Sequence, residues 1–161
     1  MNTLDVLKFG HQTMLHTLAG VPQSEWERGG VCGIWSVKDI VAHLTSFEQL
    51  LAEVLLATFL KGGPTPALDM MTEVGGLAFN DAQVELRQAK TSAEILAEYE
   101  ATHALVMAYM AQVPAETYRE NGILPWYGLE YDLDDFIVYS NYAHKREHCA
   151  EINVFRDRLA G

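Results

Sequence analysis

Apolar residues recur every three or four positions along nearly the whole chain, and the elements this spacing predicts are helices. The first runs from about Asn2 to Ala19. Leu4, Leu7, Met14, Leu15 and Leu18 share its apolar face, His11 falls inside the stripe, and Gly20 and Pro22 end it. Ser36, with Asp39 three residues on, is the start signal of a second helix. Its stripe is Val37, Ile40, Val41, Leu44, Phe47, Leu51, Val54, Leu55 and Phe59, with His43 on the face of Ile40, Phe47 and Leu50. Gly62-Gly63-Pro64 stops it, and Pro66 discourages an immediate restart. A weaker helical stretch covers Leu68 to Lys90, broken near Gly75-Gly76. Thr91 with Glu94 opens a third strong helix through Ile95, Leu96, Tyr99, Val106, Met110 and Val113, closed by Pro114. Asp132 with Asp135 opens the last, which continues to about Leu159 through Phe136, Ile137, Tyr139, Ala143, Ile152 and Phe155.

Residues 21–35 and 114–131 read as ordered loops. Trp26 and Trp35 pin the first to the core, because exposing two indoles leaves much apolar area in water. Trp126, Tyr127 and Tyr131 anchor the second or wall a pocket. No strand-like alternation, repeat or linker interrupts the pattern. The expected fold is therefore all-α: a four-helix bundle forming one domain over residues 1–161, with an extra helical piece between helices 2 and 3. The loops are long enough for a crossover, so an up-down-down-up order is open to the chain without being fixed by periodicity.

Composition narrows the function classes. The 161 residues suffice for one domain with a full core. A net charge of −11 repels nucleic acid and anionic lipid, so neither is an expected partner. The first twenty residues carry Asp5, Lys8, His11 and His16 and hold no signal-type apolar run. The apolar stretch near Leu50–Leu60 is too short and too interrupted to cross a bilayer. Cys32 and Cys149 make no disulfide framework and read as reduced, buried small side chains of a cytoplasmic protein.

The candidate chemistry lies in histidine spacing. His144 and His148 stand one helical turn apart in Tyr142-Ala-His-Lys-Arg-Glu-His148, which puts their Cβ atoms roughly 5–6 Å apart on one face. His43 offers a third imidazole from a distant helix. Three such ligands suit Zn, Ni, Cu or Fe(II) rather than Mg or Ca, and leave a position open. The pair lacks the glutamate of an HExxH motif, so no built-in base accompanies it; Glu48 and Glu147 are the nearby candidates. His11 and His103 read as core histidines and His16 as a surface one. No Walker loop, GxGxxG, CxxC or GxSxG is present.

Trp35-Ser-Val-Lys-Asp-Ile-Val-Ala-His43-Leu, followed far downstream by His144-Lys-Arg-Glu-His148-Cys-Ala-Glu-Ile, resembles the DinB-like superfamily. That superfamily includes bacillithiol transferases and the N-terminal domain of mycothiol-dependent maleylpyruvate isomerase. The resemblance implies an up-down-down-up bundle, often homodimeric, with zinc or nickel on His43, His144 and His148. It implies a metal-dependent hydrolase or thiol S-transferase acting on a small electrophilic substrate, with a low-molecular-weight thiol as a further cofactor. The chain shows no appended second domain of the maleylpyruvate isomerase type, which counts against that exact reaction. Two other readings stay open: a non-catalytic metal-binding or stress-associated bundle, and three histidines in a polar core with no metal.

Overall fold

The computed structural model describes residues 2–161, and those residues fold as helices joined by loops. The long helices are α1 (Thr3–Ala19), α2 (Val37–Phe59) and α5 (Ser92–Met110). Two shorter ones, α3 (Pro66–Val74) and α4 (Gly76–Glu85), lie between α2 and α5. The last stretch is α6 (Leu133–Ile137), a π-helical segment (Val138–Ala143) and α7 (His144–Ala160) in direct succession. Ser36–Asp39, Thr91–Glu94 and Asp132–Asp135 each form a complete capping box, so all three start signals in the sequence operate as written.

Two expectations are corrected here. Pro66 does not delay the restart but occupies the first turn of α3, where its missing N–H has no helical partner to lose. The last helix is not regular α throughout, since residues 138–143 are π-helical. The break foreseen at Gly75-Gly76 is present: Gly75 has φ 79°, a left-handed conformation that ends α3 and starts α4.

Packing pairs α2 with α5 and α1 with α7. Lys38 donates to the Gln88 carbonyl at 3.1 Å ahead of α5, and further along Glu48 contacts His103, so the two helices run in the same direction. On the other side Thr3 bonds Asp134, and Cys149 Sγ lies 3.6 Å from Met14 Sδ. Close approach there uses Gly10, where an added Cβ would sit 3.0 Å from the Tyr142 ring. Helix α2 is the spine, with Val37, Ile40, Val41, Leu44, Leu51 and Leu55 almost wholly buried. It is also long and apolar enough to cross a bilayer, contrary to the reading from Leu50–Leu60 alone. Its most apolar window is 78 % buried within the protein, which accounts for that hydropathy as core packing.

The N-terminus of α3 is held from a distance. Thr65 makes no side-chain cap bond, and the buried Glu53 of α2 instead accepts from the amides of Ala67 (2.8 Å) and Leu68 (3.0 Å). Its negative charge also faces the positive end of the helix. Glu53→Ala is expected to cost about 1–3 kcal/mol by leaving two amides without this acceptor. Urea denaturation reads that loss, and amide exchange should show it concentrated at the start of α3.

Candidate metal centre

The centre is built by α2 and α7. Residues 37–55 of α2 are nearly continuously buried, which carries His43 into the interior at 2 % exposure. Helix α7 begins at His144 immediately after the π-helical turn, and its first two turns present His144 and His148 toward His43. π turns of this kind recur at functional sites, where the widened backbone re-aims side chains. Nε2 of His43 lies 2.8 Å from Nε2 of His144, and Nε2 of His148 lies 3.1 Å from the same atom. The three ligand atoms all fall within 4.8 Å of one another. Residues a hundred positions apart thus lie together, and the i, i+4 spacing of His144 and His148 puts both on the face of α7 turned to His43.

Hydrogen bonding on the far sides of the rings decides what that point can hold. His148 Nδ1 bonds Glu151 Oε2 at 2.7 Å, and the His144 ring bonds the Ser140 carbonyl. As a ligand, each ring donates its outer N–H to that acceptor and turns the Nε2 lone pair inward. Two lone pairs at 3.1 Å repel unless a cation lies between them. One remaining Nε2–H from His43 can satisfy His144 but not His148 as well. Ligands about 2.0–2.1 Å from a tetrahedral ion stand roughly 3.3 Å apart, so a small opening of the cluster admits one. The donor set fits a divalent transition metal held by His43, His144 and His148.

Electrostatics keep these rings ready to ligate. Burial, then the neighbouring His144 and His148, pushes His43 down to about 2; burial, then His148, brings His144 to about 4. Both are neutral at pH 7. Aromatic rings close the surroundings: Trp35 and Phe47 each lie 4.9 Å from His43, and Phe47 lies 4.4 Å from His144. A cavity of about 370 Å³, lined by Phe47, Tyr139, Ser140, Ala143, His144 and Glu147, opens onto the His144 side.

The other histidines are placed elsewhere. His16 is exposed. His11 and His103 are buried and stacked on each other, 3.8 Å between centroids and 3° between planes. Glu48 lies beside them, with His103 Nδ1 3.3 Å from its Oε2. The three could be read as a second metal group. Parallel rings, however, point their lone pairs alongside each other rather than at a shared ion, and Lys145 already occupies Oε1 of the same carboxylate. The core reading of His11 and His103 stands.

Two further placements differ from the sequence reading. Glu48, a candidate base, is wholly buried and locked by Lys145 and His103, so it has no access to the cavity. Burial alone would raise its carboxyl; the Lys145 ammonium and His103 outweigh this and hold it well below the usual carboxylate range. Cys32 is half-buried rather than fully so, and stands beside Glu151 and His148. Burial and then Glu151 push its thiol up to about 11, which keeps it protonated. Sequence reasoning missed Lys145 altogether. Lying beside a ligand histidine and before Arg146, it reads as solvated, and only tertiary packing reveals it at 2 % exposure.

The family model described as the mycothiol maleylpyruvate isomerase N-terminal domain matches residues 8–128. The chain belongs to this family, a DinB-like superfamily domain. The matched span of this DinB-like chain includes His43 and the capped starts of α2 and α5, and ends ahead of His144 and His148. No curated protein and no solved structure matches it.

Proposed function

We propose that this DinB-like protein is a metal-dependent enzyme that joins a small electrophile to water or to a low-molecular-weight thiol. The observation that carries the reading is the meeting of three imidazole Nε2 atoms, two with outer nitrogens held by hydrogen-bond partners, one of the three rings, His144, also lining a cavity. Zinc or nickel is the ion we expect, and an up-down-down-up bundle is the topology the α1–α7 and α2–α5 pairings support. When bound, a divalent ion supplies Lewis acidity and lowers the pKa of a water or thiol that reaches it. Three neutral ligands leave the ion's full charge uncompensated, which favours an anionic fourth partner.

The chain's own groups have separate tasks. Glu151 and the Ser140 carbonyl orient His148 and His144. Trp35 and Phe47 wall His43 from water. The cavity admits one face of a small molecule. The charge of −11 supports a small-molecule partner over nucleic acid.

Untagged protein purified without chelators is expected to carry one divalent ion per chain by elemental analysis. His43→Ala should reduce that to background. Free metal at a hundred times Kd should stabilise the wild type by about 2.7 kcal/mol and leave the variant unmoved. Full metal content in the variant would sink the proposal. Stoichiometric metal with no turnover across thiol-transfer and hydrolysis screens would favour the non-catalytic reading instead.

A further inference from the structure

We propose that the cavity over His144 selects substrates that carry a protonated amine. This rests on the metal-centre reading and names the class of molecule that centre would take. Three features of the cavity point the same way. Its single charged lining residue is a carboxylate, Glu147; none of the chain's 11 lysines and arginines lines it. Glu147 is exposed and makes no ion pair among the described residues, so its charge is not spent on a neighbour. Lys145, two residues away, is turned into the core onto Glu48. Phe47 and Tyr139 supply aromatic walls, and Tyr139 is 63 % exposed at the mouth.

A carboxylate beside aromatic rings is a recognition surface for ammonium. The rings attract a cation through their quadrupole, and the carboxylate accepts its N–H bonds. The same arrangement disfavours a carboxylate-bearing ligand, which meets Glu147 in a field already negative overall. The wider surroundings agree. A cavity of about 520 Å³ beside Trp35, a ring that also packs on His43, is lined by Asp39, Asp81 and Glu85 and by no cation. The ion and its imidazoles suit a thiol or other soft donor, and the Glu147 side of the cavity suits a positive charge a few bonds away.

Cobalt(II)-loaded protein tests this through the thiolate-to-cobalt absorption band, without any assay of turnover. The probes are 2-aminoethanethiol, 2-mercaptoethanol and mercaptoacetate, close in size and differing in charge, compared at equal thiolate concentration because their thiol acidities differ. The cationic thiol is expected to half-saturate at a concentration roughly fivefold lower than the neutral one, with the anionic thiol weakest. Glu147→Gln should bring the cationic and neutral probes to within about twofold while cobalt content stays at one per chain. Equal binding of all three, or a preference that survives Glu147→Gln, overturns the inference and leaves the metal reading intact. A second arm measures the melting temperature of the metal-loaded protein with n-butylamine against butyrate. A rise with the amine alone supports ammonium selection even where no thiol band forms, and a rise with neither or with butyrate overturns it. Absence of bound cobalt is the separate failure that takes the metal reading down as well.

Discussion

Lys145→Met is expected to destabilise the protein by about 3–5 kcal/mol, because it strands a buried charge rather than merely deleting a bond. Glu48 is fully inside the bundle, and Lys145, 2 % exposed, is its ion-pair partner across α2 and α7. Methionine fills the lysine's space but leaves the Glu48 carboxylate with only His103 at 3.3 Å. The carboxyl must then take a proton or draw in water, and either response disturbs the stacked His11–His103 pair beside it. Against a typical total of about 5–15 kcal/mol, such a loss lowers the melting temperature by roughly 6–20 °C. The double variant Glu48→Leu/Lys145→Met should recover much of it, since removing both charges removes the stranded one. Equilibrium denaturation of the two variants checks both statements. A single variant within about 1 kcal/mol of the wild type would mean that the pair is hydrated and not part of the core.

That ion pair also marks the boundary of what the sequence discloses. Local signals were legible. The three capping boxes were written in Ser36/Asp39, Thr91/Glu94 and Asp132/Asp135, and the four-residue interval between His144 and His148 needs only a helix to become one face. His43 was legible as an imidazole on the apolar face of α2, and the resemblance to a known motif tied it to the other two. The family match leaves the later pair outside its span, so the spatial meeting with His43 is what joins them. What stayed hidden depends on packing between distant segments. The π-helical turn has no compositional mark, because Val138–Ala143 reads as ordinary helix. Lys145 looks like a solvated residue until α2 brings Glu48 to it. Pro66 reads as a breaker until its place at the head of α3 is known. Glu151 is an acidic residue on a charged helix face, and its bond to His148 Nδ1 follows from ring orientation alone.

Acid should unfold the metal-free protein far above the pH at which its carboxylates titrate. His43 is held at about 2 and His144 at about 4, in both cases chiefly by burial, and His11 falls to about 3 for the same first reason. In the unfolded chain each returns to about 6.5. Between those values the unfolded state binds more protons than the folded one, so stability is lost as pH falls below about 6.5. At pH 5, His43 and His144 together account for a loss of up to about 4 kcal/mol, and His11 adds in the same direction. Glu48 extends the decline below the unfolded carboxylate range, where protonation cancels its pairing with Lys145. Urea midpoints of metal-free protein at pH 7.5 and 5 measure the effect directly. His43→Leu separates the site's share from the rest of the core: it removes one titrating imidazole, together with the Nε2–H that His144 accepts. The variant should bind no metal and lose much less between pH 7.5 and 5 than the wild type does. An unchanged pH dependence in His43→Leu would place the acid sensitivity elsewhere. The expected result would show that the bundle gives up stability in acid to keep His43 and His144 uncharged beside His148, a cost with a physical reason if something positively charged sits among them.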